Sequence, residues 1–339
     1  MAIPIIAGAI ALGTAALGGK GVIKGSIDTH KANQVQSDAK GIISDARNSL
    51  ESARNSCKES IELLGKTKLQ SASTSMQNFV TFFSLIKNVQ IENSVGLDEL
   101  KLFKEMETID FSDMQKTVLA ATDIVGSGIA GVGAGALLSW GTYGGVMALG
   151  TASTGTAIGT LSGAAATNAT LAWLGGGAIA AGGGGMALGT IVLGGILAGP
   201  ALMVAGGLFE KKASTNLNNA YSNLEEAKKV SKEMEIARVQ VRGIREHAII
   251  LIAVIEKIDS MLRIANIDLK QVIHDSGTDW NQYNVSQKKQ VAASLKIAQL
   301  AKAIIDTPML TKDGVLTDDI KNIAAKKSKY DDLILNDFY

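Results

Sequence analysis

The sequence predicts an all-α protein in which long amphipathic helices, packed as a coiled-coil bundle, flank a glycine-rich hydrophobic transmembrane helical block. Three observations carry this. Apolar residues recur at steps of three and four through both flanks, and no strand-like alternation bounded by turn signals occurs. Ile124 to Phe209 contains no Asp, Glu, Lys, Arg or His. The 339 residues include only three prolines, Pro4, Pro200 and Pro308, so helices can run long between them. Mean hydropathy is positive, +0.19, although 19% of residues are charged, so charged and apolar residues are segregated along the chain. Aromatics at 4% and 37 glycines depart from the usual composition of a soluble enzyme core. The net charge of +1 gives no general attraction to nucleic acid.

Five units follow: an N-terminal apolar membrane segment (1–25), a helical arm (26–123), the transmembrane or insertion block (124–209), a long helix packing on the first arm (210–276), and C-terminal helices (277–339). Met1 to Gly19 carries Ile3, Ile5, Ile6, Ile10, Leu12 and Leu17, and its lysines, Lys20 and Lys24, come after the apolar run. That order lacks the basic start of a secretory signal and reads as a retained membrane segment or tail, although Ala-Leu-Gly near residue 18 is a tolerable cleavage context. From His30 to Val89, the series Ala32, Val35, Ala39, Ile42, Ala46, Leu50, Ala53, Cys57, Ile61 and Leu64 forms a stripe of coiled-coil width. Met76, Phe79, Phe82, Phe83, Leu85 and Ile86 then form a denser apolar face. After an interruption at Asn93–Gly96, Leu97–Met106 and Phe111–Ala121 read as two further helical pieces.

The central block holds most of the glycines. They recur at four-residue spacing as Gly131/Gly135, Gly141/Gly145, Gly155/Gly159/Gly163, Gly185/Gly189 and Gly195/Gly199. In water this density would cost a helix about 1 kcal/mol per glycine relative to alanine. In a bilayer the unsatisfied backbone enforces helix regardless, and glycine at every fourth position makes a smooth face for close helix packing. A span takes roughly 20 apolar residues. Breaks at Gly175–Gly177, Gly182–Gly185 and Pro200 then suggest one span near 124–149, a polar one near 150–173, and one or two between 178 and 208. In the polar segment, Thr156, Thr160, Thr167, Asn168 and Thr170 would line a pore or pack inside a bundle. Lysines close both flanks (Lys20, Lys24 and Lys31; Lys211 and Lys212), so the positive-inside rule puts both arms on one, cytoplasmic side and makes the crossings two or four.

Beyond the block, Leu217 to Val272 alternates by three and four over about eight heptads and ends at Gly277. A helix from about Val285 to Ile305 stops before Pro308, and a turn at Asp313-Gly314 leads to a last helix near Thr317–Lys329.

Chemistry-bearing motifs do not survive their context. Gly126-Ser-Gly128-Ile-Ala-Gly131 matches a dinucleotide fingerprint, yet a helical segment precedes it and the next acid is Glu210. Gly65-Lys66-Thr67 resembles the end of a phosphate loop, but Ser60 stands where the first glycine belongs and the segment lies within a helical stripe. His30, His247 and His274 are far apart and lack zinc-ligand spacing. The single cysteine, Cys57, falls on the apolar stripe as a core residue. The sequons at Asn168 and Asn284 are expected by chance, and Lys326, Lys327 and Lys329 read as a solvated helix face. No cofactor, metal site or enzymatic activity is expected.

Two long arms, Ala32–Val89 and Leu217–Val272, bracketing the apolar Ile124–Phe209 element resemble the helical pore-forming toxins of the cytolysin A and haemolysin BL type. The resemblance is architectural and brings no residue motif with it. It implies insertion of the central element into a lipid bilayer and a homo-oligomer, released by an activating ligand or partner protein. The block is about twice what a simple hairpin needs, and no convincing secretion signal precedes it. Both departures favour a protein acting on its own cell's membrane, such as a bacterial growth-arrest or antiphage effector, over a secreted toxin. The expected function is pore or channel formation or membrane permeabilisation; the alternative is a non-conducting, membrane-anchored coiled-coil scaffold or receptor arm.

Overall fold

The arms are long helices that run in the same direction. In the computed structural model, which describes residues 25–89, 111–126, 128–129, 132–133, 136–138, 140–142, 217–311 and 315–338, α1 spans Gly25–Ser71 and continues through a π-helical turn, Ala72–Met76, into α2, Gln77–Phe83. Then come α3 (Phe111–Val125), α4 (Leu217–Ser276), α5 (Val285–Asp306), α6 (Asp318–Ala325) and α7 (Lys327–Asp332). Among the described residues there is no strand, only isolated bridges between Lys87 and Asp279 and between Leu310 and Leu316. The protein is all-α, as the periodicity predicts.

The seam between α1 and α4 follows from heptad spacing. On α4, Ala220, Ala227, Met234, Val241, Ala248, Ile255, Leu262 and Leu269 fall at every seventh position, and all are buried. Opposite them on α1 lie Ala32, Ala39, Leu50, Cys57, Ile61 and Leu64, also buried. Four contacts fix direction and register. Asn223 Nδ2 donates to Gln36 Oε1 at 3.0 Å; Leu50 packs on Met234; Ser71 Oγ donates to Asp259 Oδ1 at 2.7 Å; and Asn266 Nδ2 donates to the Ser75 carbonyl at 2.8 Å. Both partners advance together along these contacts, so the helices are parallel. At 1.5 Å rise per residue, the 47 residues of α1 and the 60 of α4 reach about 70 and 90 Å.

The two halves of this pair differ. The stretch of α1 and α4 up to about Leu50 and Met234 is a two-helix stalk, closed by small residues and a modest apolar cluster of Leu50, Met234, Ile43, Ala46, Val230 and Ala237. Beyond it the stalk widens into a head. There α5 returns antiparallel along α4, with Ser294 Oγ donating to the Ala265 carbonyl at 3.1 Å, and α6 and α7 pack on α4. A capping box at Asn284 and Gln287 starts α5. Gly277, at φ +74°, lets the chain leave α4 in a left-handed conformation that a side chain would disfavour. Phe79, Phe83 and Phe111 join α2 to α3, with ring centroids 5.1–6.3 Å apart. At the far end of the head, the Lys87 amide donates to the Thr278 carbonyl at 2.7 Å, tying the end of α2 to the turn before α5.

Among the described residues, no helix is long and apolar enough to cross a membrane. The apolar N-terminal segment, the Leu97–Met106 piece, the Asp313-Gly314 turn and most of Ile124–Phe209 lie outside the described residues. The transmembrane part of the sequence-based fold therefore has no support from the described helices. The described beginning of the block packs inside the head.

Candidate functional site

The site lies where the apolar block enters the helical body, and α1 creates it. In the last turns of α1 the core-facing positions are Ile61, Leu64, Gly65 and Lys68, all buried. Gly65 leaves a notch, and residues 136–138 and 140–142, which are helical, lie across it. The fit is backbone to backbone. A Cβ at Gly65 would stand 1.8 Å from the Leu137 carbonyl oxygen, and one at Gly141 would stand 2.2 Å from the Ile61 carbonyl oxygen. Only glycine at both positions permits this crossing.

The segment is held from its other side as well. The Thr142 carbonyl, at its end, accepts from the Met309 amide at 2.7 Å and the Leu310 amide at 3.3 Å. Met309 and Leu310 are buried and follow directly on the end of α5. One turn beyond Gly65 on α1, Lys68 Nζ donates to the Thr307 carbonyl at 3.0 Å. Thr307 is the C-cap of α5, so the ammonium sits at the negative end of a helix dipole. The contacts thus close a ring from Gly65 to Gly141 and Thr142, on to Met309 and Thr307, and back to Lys68.

Charge is concentrated around the ring. Lys68 is 0% exposed, and burial pushes its ammonium down to about 7, with Asp306 acting in the opposite sense. Asp306 pairs with Lys302, itself buried, one turn before it on α5. Burial pushes the Asp306 carboxyl up, against the pull of Lys302 and Lys68. Asp113, half-exposed on α3, adds a weaker like charge. Among the described residues, three polar atoms here have no hydrogen-bond partner: Asp306 Oδ1, Thr117 Oγ1 on α3, and the indole Nε1 of fully buried Trp140. Unsatisfied buried groups cost about 1–3 kcal/mol each, so the junction is closely packed yet electrostatically uneasy. Nothing in the arrangement pairs a nucleophile with a base. It holds a chain segment against the head.

Of the glycines expected to pack helices, Gly141 lies among the described residues, and its neighbour there is Gly65 of α1. Gly131, Gly135, Gly145, Gly155, Gly159, Gly163, Gly185, Gly189, Gly195 and Gly199 lie outside them, as do Thr156, Thr160, Thr167, Asn168 and Thr170. The three histidines stay apart: His247 Nδ1 contacts the Gly243 carbonyl at 2.7 Å, His274 contacts Asp275 at 2.9 Å, and His30 is exposed. Among the described residues no cluster of His, Cys, Asp and Glu is arranged for a metal ion. Gly65, Lys66 and Thr67 are part of α1, and Gly128 follows α3 rather than a strand, so neither phosphate motif has the geometry it requires.

Sequence reasoning missed the junction. Lys68 did carry a signal, a lysine on the stripe that runs from Ile61 and Leu64 to Ala72. Lys302 and Asp306 carried none, because an i,i+4 ion pair reads as a solvated surface pair until the fold buries it. No family model, curated protein or solved structure matches the chain.

Proposed function

We propose that this chain is a membrane-inserting helical protein that forms a pore or channel, or otherwise permeabilises a bilayer, as a homo-oligomer. The observation that carries the reading is the charge-free, glycine-notched run Ile124–Phe209. A run of that length can be solvated by hydrocarbon, and its four-residue glycine spacing suits helix packing in lipid. The junction supplies a complementary part. Residues 136–138 and 140–142 are held in the head by one glycine crossing and two amide hydrogen bonds, beside a buried charge cluster that strains the junction, so an equilibrium between held and released states would account for regulation. An activating ligand or partner protein would act by binding the released state better than the held one. The setting that fits a membrane-acting protein of this kind is a bacterial growth-arrest or antiphage effector, with its arms on the cytoplasmic face.

The test is conductance. Induced expression should depolarise cells, and purified full-length protein should release dye from liposomes; Gly159→Leu, or removal of 150–173, should abolish both. A protein that reaches the membrane and leaves the potential intact refutes the pore. That result favours the second reading, a non-conducting scaffold displayed on the α1–α4 stalk, which the parallel two-helix geometry also suits.

A further inference from the structure

The seam that meets α1 is not the only one on α4. A second series of positions, stepping alternately by three and four from Ile236 to Ile267, runs down the outward side of the helix for about 47 Å. Ile236 and Val239 at one end of it, and Ile264 and Ile267 at the other, are 50–67% exposed. Large β-branched side chains left in water along one helix face contribute little to the core of a single chain and mark a surface that meets something else.

Two further features of this face call for a close helical neighbour. Gly243 stands in the interior of a 60-residue helix, where glycine costs about 1 kcal/mol relative to alanine. A Cβ there would meet nothing within 4 Å, so packing inside the chain does not require glycine, whereas the approach of a second backbone would. Glu246 and Lys257, also on the seam, carry no ion pair among the described residues.

The order of residues identifies the neighbour, because the seam is complementary to itself. Laid antiparallel on a second copy, about a twofold axis level with Leu251 and Ile252, it pairs Ile236 with Ile267, Val239 with Ile264, and Glu246 with Lys257, each pair occurring twice by symmetry. Gly243 falls opposite Ser260, a layer of two small residues in which the backbones can close up, and Ile250 falls opposite Ala253 beside the axis. On the rim, Glu235 comes near Lys270, and Arg242 near Arg263, whose charge is shared with Asp259 at 3.3 Å. Neighbouring registers fail. A slide of one heptad sets Glu246 on Ile264 or on Ile250, and parallel pairing sets Glu246 on Glu246 and Lys257 on Lys257. An unrelated helix would need no such internal match.

We propose that the outward face of α4 from Ile236 to Ile267 is a homodimer interface, joining two copies antiparallel through Glu246–Lys257 pairs and Gly243–Ser260 layers. The interface stands on this face of α4 alone and does not need the pore. On the membrane-inserting reading above it describes a resting form, because the two stalks then point in opposite directions and cannot both present the same end to one bilayer surface.

The test uses the full chain in analytical ultracentrifugation, with dye release from liposomes scored separately on the same samples. The wild type should be dimeric at micromolar concentration. Glu246→Lys and Lys257→Glu should each weaken pairing by about tenfold or more, since each sets two like-charge pairs in the seam, and the two changes combined should restore it. Gly243→Leu, whose side chain enters open space in the single chain, should keep the helix content seen by circular dichroism and abolish the dimer. Val239→Cys together with Ile264→Cys should crosslink two chains through a short bismaleimide, because these positions lie about 37 Å apart within one α4 and cannot bridge internally. Val239→Cys alone should not crosslink, and Cys57 is buried and takes no part. A monomer throughout, a dimer indifferent to the charge reversals, or crosslinking by Val239→Cys alone overturns the interface, whatever the liposomes report. A dimer that behaves as expected but releases no dye leaves the interface standing and removes only the pore.

Discussion

Replacing Lys68 by methionine should stabilise the protein, by an amount that shrinks as pH rises. Lys68→Met keeps an unbranched chain of similar length in a site that is 0% exposed and removes only the ammonium. Burial takes that ammonium from 10.5 to about 7. At ~1.4 kcal/mol per pH unit, this is about 5 kcal/mol in favour of the neutral amine. The methionine forfeits the hydrogen bond to the Thr307 carbonyl, about 2 kcal/mol for a charged donor, so the net gain at pH 6 is about 3 kcal/mol, within the range seen when buried ions give way to apolar side chains. Between about 7 and 10.5 the unfolded chain holds a proton at Lys68 that the native protein lacks, so wild-type stability rises with pH through that window and falls as pH drops through about 7. The variant lacks this slope, and the two proteins should converge near pH ~9. Asp306 titrates with the opposite sign: its raised carboxyl contributes stability at low pH that is lost as pH rises through the native value. It is present in both proteins, paired with Lys302 and faced by Asp113. Urea unfolding followed by circular dichroism at pH 6 and pH 9 measures the difference. Equal midpoints at pH 6, or a gap that does not narrow at pH 9, would refute the argument that the charge of Lys68 strains the junction.

Three further outcomes follow from neighbouring geometry. Gly65→Ala should destabilise by about 2 kcal/mol, because its Cβ meets the Leu137 carbonyl oxygen at 1.8 Å and backbones must separate. Gly41→Ala on the same helix, with nothing within 4 Å, should instead stabilise by up to about 1 kcal/mol, and thermal melts of the pair check both signs. Trp140→Phe removes an indole N–H that has no partner among the described residues in a fully buried site, so it should be neutral or stabilise by about 1 kcal/mol, where loss of an ordinary buried aromatic would cost stability; chemical denaturation decides. The Cys57 thiol, pushed up to about 12 by burial, should resist alkylation at pH 8 in the folded protein and react fully in urea, as mass spectrometry of iodoacetamide-treated samples would show.

The three-four spacing in the sequence identifies the long helices and much of their buried face. The heptad positions from Ala220 to Leu269 are all buried on α4, together with others such as Ile244, Leu251 and Ile258, because a seven-residue repeat leaves one face for a partner and the chain has no proline there to interrupt it. The end of α4 at Gly277 and the N-terminal boundary of α5 at Val285 are legible for equally local reasons, a left-handed glycine and a capping box. The periodic stripe gives no sign of the π-helical turn at Ala72–Met76, since one extra residue in a turn barely shifts an apolar pattern.

Direction and partnership were beyond the sequence. A heptad stripe looks the same whether its partner runs parallel or antiparallel, and the long interval between α1 and α4 allows either; only the register from Gln36–Asn223 to Ser75–Asn266 makes them parallel. Gly141 has its four-residue partner written beside it in the sequence, yet its neighbour in space is Gly65. Lys68 and Asp306 become one cluster only when α5 lies back along the head. Local spacing fixes helices because a helix is made of near-neighbour contacts. Which helices meet, and which charges are buried between them, is decided by packing across distant parts of the chain, and that belongs to the tertiary structure.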